Sequence, residues 1–328
     1  MTNRSTPFGC LLHILAGGDI LAIVQTDVPM TAELCEQTIG QLLRRYPAFR
    51  SESLTTTAFG RPVLSLTIGQ GERKVLYSAA HHANEWITTP VLLKFLEELA
   101  LAAENDGKIF GVPAQNILKA ATIYTVPMVN PDGVDLVTGT IEPGTLEYTT
   151  AQTLADNYPA IPFPEGWKAN LLGVDLNLQY PAGWLRAREI KFSQGYTKPG
   201  PRDYVGRAPL NQRESIAMAR YTEEVDPALV VAFHTQGEVI YWQFGDYVVP
   251  GARALAEEFA RLSGYALEDT PYESSFAGYK DWFIQDWRRP GFTIESGIGE
   301  SPLPLSQFDD IYKANLGILV TGATGLPQ

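Results

Sequence analysis

Three short apolar runs in this chain each end at a side chain that can hold a metal or carry a proton. Residues 74–79 lead into His81-His82-Ala83-Asn84-Glu85, residues 228–233 into His234, and residues 291–294 into Glu295. Apolar runs of this length, rich in β-branched residues, suit buried strands better than helices. Helical spacing occupies much of the sequence between them, so strands and helices alternate, as in an α/β fold with a mixed sheet. In open sheets of that class, ligands bind in the crevice beyond the carboxyl ends of the strands. His82, His234 and Glu295 can therefore meet at one rim although far apart in sequence.

The remaining elements fit that plan. Residues 31–43 have helical periodicity with Thr31 as N-cap. Residues 62–68 alternate like a half-buried strand that Gly69 ends. A helix is expected over 90–105, capped by Thr89 with Pro90 in its first turn. Residues 122–129 read as a strand closed by an Asn130-Pro131-Asp132-Gly133 turn. The Pro-, Gly-, Tyr- and Trp-rich stretch 139–206 reads as long ordered loops, followed by helices over 212–225 and near 253–263. With 328 residues the chain has enough length for one large core. Residues 29–328 are expected to form one catalytic domain, and residues 1–28 a segment packed on it or preceding it.

Charge and composition exclude several functions. A net charge of −12 opposes binding to nucleic acid, whose phosphates require a basic surface. No apolar run reaches the roughly 18 to 20 residues of a membrane helix, so no membrane insertion is expected. Two cysteines, Cys10 and Cys35, provide neither a disulfide framework nor a cysteine metal cluster. The apolar run at 8–16 is interrupted by His13 and reads as a folded strand rather than an export signal. That favours the cytoplasm, with a cell-wall-associated location as the alternative. Nothing in the sequence sets an oligomeric state.

The chemistry is narrowed by scarcity, for the chain has only four histidines. Two imidazoles and one carboxylate, with a fourth position left to water, make a catalytic rather than a structural zinc site. Zinc lowers the pKa of that water and polarises a carbonyl. A carboxylate that does not ligate the metal must then take the water's proton and pass it to the leaving amine. Glu295, at a strand end before Ser296-Gly297, suits that role. A cation should steady the oxyanion. His81 and His13 read as structural residues. Asp175 supports a ligand by hydrogen bonding or caps a loop, and Gln236 and Glu238 line the pocket or face solvent.

His82-x-x-Glu85-Trp86, Asn130-Pro131-Asp132-Gly133, Gly173-Val174-Asp175-Leu176-Asn177, His234 and Phe292-Thr293-Ile294-Glu295 occur in the order found in zinc carboxypeptidases. The chain resembles that family over about residues 31–308. Within it, the likeness is greatest to bacterial γ-D-glutamyl-meso-diaminopimelate peptidases, on residues 81–89, 167–170, 233–242, 277–283 and 302–304. The resemblance implies a mixed central sheet flanked by helices and one Zn²⁺ held by His82, Glu85 and His234. It implies Glu295 as general base, Asn177 in the substrate pocket, and Lys168 in the place of the oxyanion arginine. Tyr272 stands near the position of the pocket tyrosine. Arg186 and Arg207 either contact substrate carboxylates or are solvated.

One departure bears on specificity. Carboxypeptidases follow the pocket asparagine with an arginine that grips the substrate's terminal carboxylate; Leu178 stands there, and it cannot form that charged fork. The resemblance therefore implies hydrolysis of the γ-D-glutamyl–diaminopimelate bond in peptidoglycan stem peptides. The alternatives are a broader metallocarboxypeptidase and a catalytically dead module that binds wall peptides.

Overall fold

The computed structural model of the chain describes residues 22–326. The expectations for Cys10, His13 and the apolar run at 8–16 lie outside those residues, as does most of the segment 1–28. The elements are, in order, α1 (Ala32–Arg45), β1 (Arg50–Thr56), β2 (Pro62–Gly69), β3 (Arg73–Ala79), α2 (Thr88–Glu104), β4 (Lys108–Ile109), β5 (Val112–Pro113) and α3 (Ala114–Ala120). Next come β6 (Ala121–Val126), α4 (Pro131–Val137), α5 (Leu146–Ala155), α6 (Trp184–Ser193), α7 (Arg213–Val225), β7 (Leu229–His234) and β8 (Val239–Tyr241). The chain closes with α8 (Ala252–Ser263), β9 (Ala266–Glu268), α9 (Tyr279–Trp287), β10 (Gly291–Glu295) and α10 (Phe308–Thr324).

Eight strands form one mixed sheet in the order β1-β2-β6-β3-β7-β10-β8-β9. Its centre, β6-β3-β7-β10, is parallel, so these four strands end at the same rim. Side chains alternate between the two faces with the period of a strand. Val75, Tyr77, Val231 and Phe233 enter a core shared with α2, α8 and α10; Leu76, Val230 and Ala232 enter a second core under α7 and α9. Each fully buried side chain of this size contributes about 1.5–3 kcal/mol. Burial on both faces explains why these strands read as continuous apolar runs.

Three local expectations are corrected. Thr89 does not cap α2, because the 3-10 turn Ala83–Glu85 already precedes the helix. Instead Thr88 Oγ1 donates to Glu85 O at 2.7 Å and clamps the turn that bears Glu85, while Thr89 Oγ1 donates to Pro127 O at 2.7 Å and ties the start of α2 to the end of β6. The Asn130-Pro131-Asp132-Gly133 segment is not a free turn but the start of α4, where Asn130 Oδ1 accepts from Gly133 N at 3.1 Å. The stretch 139–206 contains α5 and α6 among its loops.

At the N-terminal side, Glu97 accepts hydrogen bonds from the backbone of Ile23 and Val24 at 2.7 and 3.0 Å, and Val24 and Met30 join the core. Among the described residues, no helix is long and apolar enough to cross a membrane.

Candidate metal centre and active-site cavity

His234 is the last residue of β7 and stands in register with Glu295, the last of β10. His82 follows the end of the neighbouring β3 by three positions. The helical turn after it returns Glu85 to the same point. Asn130 ties this turn to the loops: its Nδ2 donates to His81 O, Lys168 O and Ala169 O at 3.3, 3.2 and 3.0 Å. Gly133 is needed for the approach of α4, since a Cβ there would stand 2.6 Å from Ala169 O and 2.8 Å from the Ala83 Cβ.

His82 Nδ1 lies 2.9 Å from Glu85 Oε1, and His234 Nδ1 lies 2.8 Å from Glu85 Oε2 and 3.3 Å from His82 Nδ1. The three donors fall within 4.8 Å of one another. The other nitrogen of His82, Nε2, faces Asp175 Oδ1 at 3.1 Å. An Nε2 proton directed at that carboxylate leaves Nδ1 free to ligate, which is the means by which carboxylates fix a ligand's tautomer.

The charges at this point fit a cation. Burial opposes protonation of His82, yet the carboxylates of Glu85 and Asp175 raise its pKa to about 9. Burial likewise opposes ionisation of Glu85, but His82 and Lys168 hold it well below the usual carboxylate range. Two imidazole nitrogens 3.3 Å apart over a carboxylate are placed to share a cation. A divalent ion with a taste for nitrogen and carboxylate donors fits that placement, and the set is one that zinc accepts.

His82 opens into a cavity of about 210 Å³ lined also by Lys168, Asp175, Asn177, Leu178 and Glu295. Lys168 Nζ donates to Glu85 Oε1 at 2.9 Å. Burial, reinforced by the charge of Glu85 and partly offset by His234, Lys168 and His82, raises the pKa of Glu295. Asn177 Oδ1 accepts from Tyr279 N at 3.0 Å, which leaves its amide nitrogen for other partners. Leu178 packs with Trp184, Ala187, Val205 and Ala277.

Four expected substrate contacts lie outside the cavity wall. Gln236 is exposed just past β7 and Arg207 is exposed on its loop. Arg186 turns outward on α6, where it donates to Tyr272 Oη at 2.9 Å and Glu189 Oε2 at 2.7 Å. Tyr272 is 55% exposed, and its neighbours Pro271 and Ser274 reach the cavity in its place.

Sequence reading missed a set of charges that do line the cavity. One wall joins Lys191 of α6 to Arg202 and Asp203 of the loop that follows. The facing residues Lys280 and Asp281 open α9 and form a buried ion pair. The signal for the α9 pair was present, as a lysine and an aspartate amid the aromatic residues 279–283. The loop set gave none, since surface loops are ordinarily charged.

Residues 35–316 match the zinc carboxypeptidase family. The chain is 46% identical to the gamma-D-glutamyl-L-diamino acid endopeptidase 1 of Lysinibacillus sphaericus, over 87% of this chain and 69% of that one. It is 39% identical to the Bacillus subtilis (strain 168) protein YqgT, over 87% and 74% respectively. Its fold superposes on the crystal structure of thrombin-activatable fibrinolysis inhibitor with a TM-score of 0.74 at 17% identity, covering 93% of this chain and 77% of that one. With most of its length matched and the donor set convergent at the sheet rim, the chain belongs to the zinc carboxypeptidase family and is a zinc-dependent metallopeptidase.

Proposed function

We propose that this peptidase hydrolyses the γ-D-glutamyl–diamino acid bond of peptidoglycan stem peptides, with meso-diaminopimelate as the diamino acid. The observation that carries this reading is 46% identity, across 87% of the chain, to a peptidase named for that bond. Leu178 supports it, because an apolar side chain there leaves the leaving group's carboxylate without the expected guanidinium. Lys280 and Asp281 support it too. A buried cation beside a buried anion suits a leaving group that bears both an ammonium and a carboxylate.

Each residue then has a distinct task. His82, Glu85 and His234 hold the zinc, and Asp175 keeps His82 in the ligating tautomer. Zinc, when bound, polarises the scissile carbonyl and acidifies water. Glu295 takes the attacking water's proton and delivers it to the leaving amine; its raised pKa makes it a better proton acceptor. Lys168 offers an ammonium to the developing oxyanion. Asn177 presents its amide to the substrate backbone.

Three substrates test this reading with the zinc-loaded protein: an L-Ala-γ-D-Glu-meso-diaminopimelate stem peptide, an ordinary peptide with a free C-terminus, and the same peptide with the C-terminus blocked. Mass spectrometry should show cleavage of the stem peptide at the γ-glutamyl bond. Preference for the unblocked ordinary peptide would make the chain a broader carboxypeptidase. Binding of the stem peptide without any hydrolysis would make it a binding module.

A further inference from the structure

A γ-linked glutamate differs from an α-linked one in a way the cavity can read. Its side-chain carboxyl forms the scissile bond, so its α-carboxylate stays free on the acyl side, about 5 Å from the scissile carbonyl carbon when extended. A site that cuts this linkage selectively needs a cation there, close to the group that faces the oxyanion.

The loop wall supplies one. The backbone N–H groups of Lys168 and Ala169 both donate to Pro201 O at 2.8 Å, which sets Arg202 beside Lys168. On the other side of Arg202, Asp203 N donates to Asp175 Oδ2 at 3.2 Å, and Asp175 N donates to Tyr204 O at 2.9 Å. The backbone that bears Arg202 is thus tied to the oxyanion lysine and to the carboxylate behind His82.

Its side chain is equally well placed. Arg202 Nε donates to Asp203 Oδ2 at 2.7 Å. Among the described residues, its terminal nitrogens have no protein acceptor within hydrogen-bond distance, and the side chain is 40% exposed. An Arg–Asp pair alone would be neutral. Here the largely buried Lys191 lies 2.7 Å from Asp203 Oδ1, so Lys191, Asp203 and Arg202 together carry one net positive charge. The other cavity cations already have protein acceptors, Lys168 in Glu85 and Lys280 in Asp281 and Gln243 O, and serve the oxyanion and the leaving group.

We infer that Arg202 binds the free α-carboxylate of the glutamyl residue and so makes the peptidase selective for a γ-linked glutamate with an unmodified α-carboxyl group. The inference rests on the reading of the preceding section and names the residue that recognises the acyl side.

A cycle of two enzymes and two substrates tests it. The substrates are the γ-D-glutamyl stem peptide and its α-carboxamide counterpart, and the enzymes are the wild type and Arg202→Gln, each checked for zinc content. A charge-assisted hydrogen bond of this kind is worth about 10- to 100-fold in kcat/KM. The wild type should prefer the carboxylate substrate by that factor. Arg202→Gln should lose it on the carboxylate substrate while its rate on the carboxamide is little changed, and Arg202→Lys should restore part of the preference. A merely structural role, acting through Asp203 and Asp175 on the metal, would lower both substrates alike and overturn the inference. So would a wild type that cuts carboxamide and carboxylate equally well. A wild type that cuts neither substrate but trims ordinary peptides would refute the underlying γ-glutamyl reading itself.

Discussion

Glu214 provides a quantitative check on the physics of burial in this fold. It lies in the first turn of α7, only 2% exposed. Burial raises its pKa from 4.5 to about 7, with the Asp132 carboxylate adding to the effect and its own backbone N–H, the Asn170 amide and Arg213 offsetting part of it. The folded state thus favours the protonated acid. Its contribution to stability is fully present below the unfolded value near 4.5 and is lost as the pH rises through about 7. At about 1.4 kcal/mol per pH unit, a shift of this size makes the folded state about 3 kcal/mol less stable at pH 8.5 than at pH 4.5 on account of this group alone. Glu214→Gln keeps the shape and removes the titration. Thermal unfolding of the zinc-loaded wild type and variant should therefore diverge with rising pH, the variant gaining several degrees relative to the wild type between pH 5.5 and 8.5. Parallel melting curves across that range would mean that Glu214 does not titrate in it and that the burial argument is mistaken.

The remaining predictions concern the metal and the chemistry. Glu295→Gln should retain one zinc by elemental analysis and lose about 100- to 10,000-fold in kcat; near-normal turnover would remove Glu295 from the proton shuttle. Lys168→Ala should lower kcat about 100- to 1,000-fold, with Lys168→Arg recovering part of it; a change confined to KM would assign Lys168 to binding instead. Asp175→Asn should weaken zinc affinity by about 10- to 100-fold in a competition titration, and unchanged affinity would detach Asp175 from the ligand. Zinc at 100 times its Kd should stabilise the fold by about 2.7 kcal/mol relative to the chelated protein. A melting temperature indifferent to chelator would contradict a native-state zinc site.

What the sequence revealed depended on how each residue reports its surroundings. The central strands were legible because both their faces are buried, which leaves continuous apolar runs at Val75-Leu76-Tyr77 and Leu229-Val230-Val231. His82, Glu85, His234 and Glu295 were legible because metal and proton chemistry restricts residue type and because all four stand at or just beyond the ends of apolar strands. The helix over 146–155 was not. Its apolar residues do not gather on one strong face, and only Ala151 and Ala155 are buried. Asn130-Pro131-Asp132-Gly133 carries a turn signal and a helix-start signal at once, since asparagine before proline serves either. What decides is Gly133, which lets α4 pack against Ala83 and Ala169. Arg186 and Arg207 were candidates only by residence in a loop-rich stretch. The arginine that faces the cavity, Arg202, is chosen by the hydrogen bonds of Pro201 O to Lys168 and Ala169, a tertiary pairing without a local pattern.

That pairing also joins metal binding to substrate selection. Asp175 accepts from Asp203 N on one oxygen and meets His82 Nε2 with the other. Asp203 in turn bridges Lys191 and Arg202, so one connected network reaches from the metal ligand to the acyl-side guanidinium. A carboxylate pulled toward Arg202 would tighten the backbone that holds Asp175, whereas a change in the loop that moved Asp203 would disturb both His82 and specificity. The α9 backbone joins this network through Asn177, which accepts from Tyr279 N and donates to Asp175 Oδ1, but the side chains of Lys280 and Asp281 do not, since they pair with each other and with Gln243 O. Recognition of the leaving group can therefore vary at the Lys280 and Asp281 side chains without loosening the zinc, while recognition of the glutamyl side cannot vary freely on the loop. Variants at Lys280 should accordingly change leaving-group preference at constant zinc affinity, and variants at Asp203 should lose both together.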